Sequence, residues 1–342
     1  MAHALEINNG RASMFYVKET PWHGLGQKVN EDISIVEGIK AAGLDWNVEL
    51  HDMITVPPKN TDEQDPDMEK YEEDTGSGGL VVKDKAMVRS DKHIVLGTVG
   101  PRYTPLQNRA AFDFFQPYLD AKECHLHTAG SLHEGRKIWV LAKINRDNMR
   151  IVKNDEVAKF VLLSNSHDGT TSIRVGYTPI RVVCANTMAQ AHQRGTSSLI
   201  RIRHTRSSKV NLEQVRDTMN LIDQTFEATA EQYRFLASRN FNQADIKAYV
   251  RTMLDVADKQ EEDISTRTKN IMEDIMERIE GPMQSMEGVR GTWWAAYNGV
   301  NERLNYEAGR NASNRMDSLW FGANATLNDR ALSTALEFAN AV

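Results

Sequence analysis

Asn165-Ser166-His167-Asp168-Gly169, then Ile173-Arg174-Val175-Gly176-Tyr177-Thr178-Pro179, then Arg181-Val182-Val183-Cys184-Ala185-Asn186-Thr187: this stretch reads as strand, tight turn, strand, and a sharp entry into the next element. Apolar runs flank the Asp168-Gly169 pair, a strong short hairpin signal because glycine takes positive φ without steric cost. Polar side chains crowd the turn, and Arg174 sits on the strand that returns from it.

Working outward, further strands are expected over Asp45 to Val56, Ala86 to Val88, His93 to Val99, Cys124 to Ala129 and Ile138 to Ile144. Most connections are too short for parallel crossovers, so six or seven largely antiparallel strands are predicted. Residues 1–30 read as an N-terminal arm, with Trp22-His23 as its anchor, docked on the same subunit or in a neighbour's groove. A short helix runs from Ser34, a good N-cap, to Ala42. Asn108 is expected to cap a second helix with Phe112, Phe115 and Leu119 on one face, kinked or ended by Pro117. Residues 57–79 carry eight acids between Pro57-Pro58 and Gly76-Ser77-Gly78-Gly79, the composition of an exposed acidic loop.

After about residue 210 the period changes. Val215, Met219, Ile222, Phe226, Tyr233 and Leu236 follow three–four spacing, an amphipathic helix from Asn211 to near Ser238. Further helices are expected from near Asn242, along Ile264 to Ile279 with Gly281-Pro282 as the stop, and over Trp293 to Leu304 and Asn328 to Phe338. The expectation is an α+β fold: an antiparallel β-rich core with hairpins and one packed helix (31–209), followed by a helical C-terminal region (210–342).

The overall charge of −6 conceals a segregation. Residues 1–121 sum to −8, residues 122–209 to +9 and residues 210–342 to −7. A basic middle suits a polyanion; alternatively, the arginines bind the acidic C-terminal helices as structural ion pairs. The basic set is Arg136, Lys137, Arg174, Arg181, Arg194, Arg201, Arg203, Arg206 and Lys209. Arg201 and Arg203 would point the same way on a strand, as in a groove that tracks phosphates, with Tyr103, Trp139 and Tyr177 offering faces for bases. The seven candidates for DNA contact are Arg136, Lys137, Arg174, Tyr177, Arg181, Arg201 and Arg203.

Competing chemistry has less behind it. Ser166, His167 and Asp168 are triad residue types, but neighbours on a strand point to opposite faces and no Gly-x-Ser-x-Gly elbow is present. Cys184 with His167 is a second nucleophile reading, against a buried structural thiol. His125 and His127 share a strand face without a third ligand nearby. No phosphate loop is present, so no nucleotide cofactor is called for. Two cysteines are too few for a disulfide framework. No apolar run approaches membrane length, and Met1 to Arg11 lacks a signal-peptide core, so the expected compartment is the cytoplasm.

The hairpin stretch, with Pro21-Trp22-His23-Gly24-Leu25-Gly26, Leu96-Gly97-Thr98-Val99-Gly100-Pro101-Arg102-Tyr103 and Ala129-Gly130-Ser131-Leu132, resembles the phage/plasmid-like protein family, domain-of-unknown-function family 932. The resemblance covers nearly the whole chain in the same motif order. It implies a product of phages and conjugative plasmids, acting in DNA replication, recombination or conflict with host defences. Two hairpins, an interposed helix and a basic row are also similar in outline to single-strand annealing proteins, which bind single-stranded DNA as rings or filaments without ATP. The expected function is a homo-oligomeric, non-enzymatic single-stranded DNA-binding protein, with ATP-independent strand annealing as its extension. The alternative is an interaction protein that counters a host defence nuclease, with a host protein as partner. A hydrolase using His167, Asp168 and Cys184 is the third reading.

Overall fold

The structure is a computed structural model. It describes residues 5–8, 10–18, 25–56, 80–181, 186–187, 199–208, 211–212, 222–308, 318–319 and 322–341. Trp22 and His23, the acidic 57–79 segment, Cys184, Arg194 and Lys209 lie outside the described residues.

The strands are β1 (Ile7–Asn8), β2 (Arg11–Ala12), β3 (Met14–Val17), β4 (Gln27–Val29), β5 (Val48–Ile54), β6 (Val81–Arg89), β7 (Ile94–Val99), β8 (Cys124–Leu132), β9 (Lys137–Ile144), β10 (Met149–Val152), β11 (Asp155–Ser166), β12 (Ile173–Arg181), β13 (Asn186–Thr187) and β14 (Leu199–Ile202). Nine form one sheet in the order β13-β12-β11-β9-β8-β3-β4, with β10 beside β11 and β14 beside β12. Strands β5, β6 and β7 form a second, three-stranded antiparallel sheet, and β1 pairs with β2. Among the described strands, only β3 and β4 pair in parallel. The stretch read as an arm therefore supplies part of the large sheet: Met14, Phe15 and Tyr16 pair with Gly130, Ala129 and Thr128, and Phe15 and Val17 are buried.

Strand β11 explains why the large sheet has two covered faces. Its sequence from Val157 to Leu163 is apolar at nearly every position, which suits a strand buried on both sides. Val157, Val161 and Leu163 join the main core with Ile138, Val140 and Ala142 of β9. The alternate residues Ala158, Phe160 and Leu162 pack with Trp139 and Leu141 in a second cluster on the opposite face.

Helices cover the first face. Helix α1 (Ile35–Ala41) opens with a full capping box between Ser34 and Glu37. Helices α2 (Asn108–Asp113) and α3 (Gln116–Asp120) follow, with Pro117 in the first turn of α3, where its missing N–H costs nothing. Beyond lie α4 (Ile222–Ala237), α5 (Gln243–Met253), α6 (Thr266–Ile279), α7 (Trp293–Tyr306) and α8 (Ala323–Ala341). Asn242, Ser265 and Thr292 cap α5, α6 and α7. The C-terminal helices meet the sheet where β11 begins. There the buried indole N–H of Trp294 donates to the buried Asp155 carboxylate at 2.8 Å, and the Phe226 ring stands edge-on to Tyr177 at 5.3 Å.

The chain thus has the α+β architecture that its patterning predicts, with more strands than six or seven, because short pieces such as β1, β2 and β13 carry no two-residue period. Asn108 does not cap α2. Gln107 holds the cap position, its side chain bonded to the Val48 backbone rather than to the helix, and Asn108 is a buried helical residue whose amide donates to the carbonyls of Leu44 and Trp46, both at 3.1 Å.

Candidate nucleic-acid interface

The β11–β12 hairpin is present, but its turn is six residues long, from His167 to Ser172, rather than a two-residue dipeptide. Asp168 organises it. Its carboxylate accepts from the Thr170 N–H at 2.9 Å and hydroxyl at 2.5 Å, and from the Ser166 hydroxyl. This side chain replaces the backbone pairing that a tight turn would have supplied. Burial pushes the Asp168 carboxyl up, but those hydrogen bonds and the nearby Lys137 charge outweigh it and hold it below the usual carboxylate range.

The turn is clamped from the three-stranded sheet. A methyl placed on Gly97 would sit 2.6 Å from the Asp168 carbonyl oxygen and 2.7 Å from its Cα. A methyl placed on Gly169, at φ +74°, would sit 2.9 Å from Val99 Cγ1. The Tyr103 hydroxyl donates to the Ser166 carbonyl at 3.0 Å, and its ring stacks on His204 at 4.5 Å with 17° between planes.

His167 faces inward and is fully buried. Because the Asn108 amide N–H₂ already donates to two carbonyls, its oxygen is left to face His167 Nε2 at 2.9 Å, so Nε2 carries the proton. Nδ1 is then the acceptor, facing the Asn165 amide nitrogen at 3.4 Å. Burial, then the neighbouring His204 ring, pushes His167 down to about 3, and a second proton on Nδ1 would oppose Asn165's own donor. Ser166, with its hydroxyl committed to Asp168, points to the other face. The three residues therefore form no nucleophile–base relay.

The register assembles the basic set at this same end of the sheet. Ser164 of β11 lies between Trp139 on one side and Arg174 on the other, and Arg174 is opposite Arg201. Lys137, opposite Ser166, is two residues nearer the turn on the same face. The Arg136 carbonyl accepts from the His167 N–H at 2.7 Å, and Arg203 follows β14. Arg136, Arg201 and Arg203 are exposed, while Lys137 and Arg174 are half-buried. Among the described residues, no carboxylate lies within ion-pair distance of Arg136, Arg201 or Arg203. The acids of the helical region instead take its own arginines: Arg278 meets Asp274, Glu302 and Glu307, Arg303 meets Asp274, and Arg251 meets Glu261.

Two candidates do not join this group. Tyr177 is on the helix-covered face of β12, against Phe226, because odd and even positions of a strand diverge. Arg181 closes the far end of β12, opposite Val157, seven residues from Arg174 and so roughly 23 Å away at the rise of a strand. Trp139 offers no stacking face: it is buried, its indole N–H donating to Thr128 at 2.9 Å. His125 and His127 also separate in role. His125 bonds Asn145 at 2.6 Å and faces Glu31 at 3.2 Å, while His127, at a register shift in β8, packs on Phe160. Among the described residues no group of three His, Cys, Asp or Glu is placed to hold a metal ion, and no helix is long and apolar enough to cross a membrane.

Sequence reasoning missed Asn108, Gly97 and the buried Arg89. The Arg89 guanidinium lies 4.2 Å over the Trp46 ring and pairs with the buried Glu6 at 2.7 Å and with Asp91 at 2.6 Å. Nothing in a charged residue's spacing marks it for the interior.

Comparison with known proteins returns no match among curated proteins and none among solved structures. One family profile, described as a domain of unknown function (DUF932), matches residues 95–320. That span runs from β7 through the clamped turn and the basic strand to the C-terminal helices, about two thirds of the sequence, and the chain belongs to this family.

Proposed function

We propose that the protein binds single-stranded DNA without sequence preference through the turn end of its large sheet, and that self-association extends this to ATP-independent annealing. The observation that carries the reading is the convergence of Arg136, Lys137, Arg174, Arg201 and Arg203 around one turn. Arg174 and Arg201 are directly opposite on one face, which puts two guanidinium groups within reach of neighbouring backbone phosphates. The arginine fork matches phosphate geometry and stays charged at every physiological pH. Contacts made by arginine and lysine alone favour backbone over sequence. Fluorescence anisotropy with single- and double-stranded oligonucleotides at two salt concentrations tests it: binding should favour single strands and weaken steeply with salt. Folded protein that binds neither form at low salt ends the proposal.

A second reading, a non-enzymatic partner of a host defence nuclease, draws on the three-stranded sheet. Leu50, Ile54, Val81 and Val95 are exposed there, apolar side chains that a protein partner could cover. Capture of a host protein by a chain with no DNA affinity would favour it.

A further inference from the structure

His204 is 8 % exposed, and neither ring nitrogen makes a well-formed hydrogen bond. A neutral imidazole buried this way leaves an N–H or a lone pair unmatched, which is costly and uncommon. The residue directly follows Arg203 on the segment that carries the basic strand. Its ring is stacked on Tyr103, whose hydroxyl is bonded to the hairpin at Ser166. Its own carbonyl accepts from the Thr104 N–H at 3.2 Å. His204 is therefore the clasp where three pieces meet: the basic strand, the loop at 103–104 and the β11–β12 turn.

We propose that His204 is a proton-operated latch for the basic strand: its protonated ring fastens β14 and its arginines to the turn and the loop, and phosphate binding and proton binding favour each other. The proposal rests on the DNA-binding reading and adds its regulation. Backbone groups of Thr104 and Thr171 flank the ring and favour its charged form, whereas burial, the larger influence, favours the neutral one. The groups around it divide by element. From the turn come His167, held neutral, and the Asp168 carboxylate; from the loop come Arg102 and the Tyr103 phenol; from its own segment come Arg201, Arg203 and Arg206. Burial holds His204 below its ordinary value, so the free chain favours the neutral ring, and an arriving anion is what would bring on its charge. Phosphate oxygens arriving at Arg201 and Arg203 add negative potential on the segment that carries the ring, which promotes proton uptake. Reciprocally, protonation raises phosphate affinity by the same factor.

The experiment measures anisotropy of a labelled oligothymidine at constant ionic strength from pH 5.5 to 8, for the parent chain and for His204→Gln. Hydrogen exchange of the Thr104 and β14 amides is followed over the same range. A one-unit shift of the ring on binding corresponds to about a tenfold change in affinity, so the parent should bind roughly three- to tenfold more tightly at pH 5.5 than at 8, and His204→Gln should bind with a flat profile. The amides should gain protection on acidification, beyond the intrinsic rate change, only in the parent. An unchanged pH slope in His204→Gln overturns the latch even if DNA is bound. Absence of binding in both proteins overturns the DNA reading, and the exchange data then decide the latch by themselves. Should His204→Gln fail to fold, the parent's imidazole resonances settle it: a His204 ring that does not titrate between pH 5.5 and 8, with and without oligothymidine, ends the proposal.

Discussion

At the scale of single residues, the turn is held by an absence and by an amide. Gly97→Ala would drive a methyl into the Asp168 backbone, which cannot yield as a flexible side chain can. Overpacking of this kind costs about 1–3 kcal/mol. A drop in denaturant midpoint of that size, at unchanged slope, is expected, whereas Gly100→Ala, where a methyl meets nothing within 4 Å, should be close to neutral. Asn108→Asp removes the two donors to Leu44 and Trp46 and buries a charge beside His167. A loss of about 3 kcal/mol or more is expected on urea unfolding, with near-native far-ultraviolet dichroism before the transition. His167 was visible in the sequence as a turn residue, but its role was not. That role depends on Asn108, 59 positions away, and no local pattern reports which polar residue a fold will turn inward.

At the scale of elements, the basic strand is the testable unit. Arg201→Ala with Arg203→Ala should lower oligonucleotide affinity and reduce the salt slope by about 0.7 for each phosphate no longer neutralised, while the melting temperature stays within a degree or two, because both side chains are exposed and without carboxylate partners among the described residues. A lower melting temperature with unaltered DNA binding would instead mean structural ion pairs. Arg181→Ala provides an internal control, since it lies at the far end of β12. Periodicity revealed the long strands and the capped helices because burial imposes it: β11 and β9, and the starts at Ser34 and Asn242, follow directly from side-chain type. It also gave the basic row its members, but it could not tell that Tyr177 faces the helices or that Arg181 is remote. Those depend on register, fixed by the pairing of β11 with β12 and not by either strand alone. Asp168-Gly169 announced a turn without fixing its length, since the Asp168 carboxylate, not a short backbone link, holds it.

At the scale of the whole molecule, acid should be the sensitive condition. His167 is pushed down to about 3 and His127 to about 4, in both cases chiefly by burial, against an ordinary value of 6.5. The unfolded chain therefore binds protons that the folded chain refuses. The stability present above pH 6.5 is lost as pH falls toward those folded values, by about 1.4 kcal/mol per pH unit for each ring. Glu6, where burial is outweighed by Lys92, Ser131, Arg89 and Asn8, and Asp168 are held below their ordinary values of 4.5 and 3.8. Their contributions disappear lower still, as pH falls through those values. Melting curves from pH 8 to 4 should show a midpoint that declines from about pH 6.5 downward, and His167→Gln should flatten that decline even where it lowers the plateau. A plateau extending to pH 4.5 in the parent would mean the rings are accessible to protons.

The bond between Trp294 and Asp155 sets a direction for the molecule. It fastens the helices to the first residue of β11, while the arginines gather around the last, and twelve residues of strand separate the two by roughly 40 Å. Exposed Arg136, Arg201 and Arg203 thus mark the turn end, while the helical region, net −7 over 210–342, is fastened at the other. On the proposed reading, each bound copy would stand with its helices outward, leaving them free to touch the next copy along the strand. A donor dye at Thr170 and one at Asn340 should therefore report very different transfer efficiencies to the same labelled oligonucleotide, high from the turn and low from the last helix. Equal efficiencies would mean that the chain lies flat.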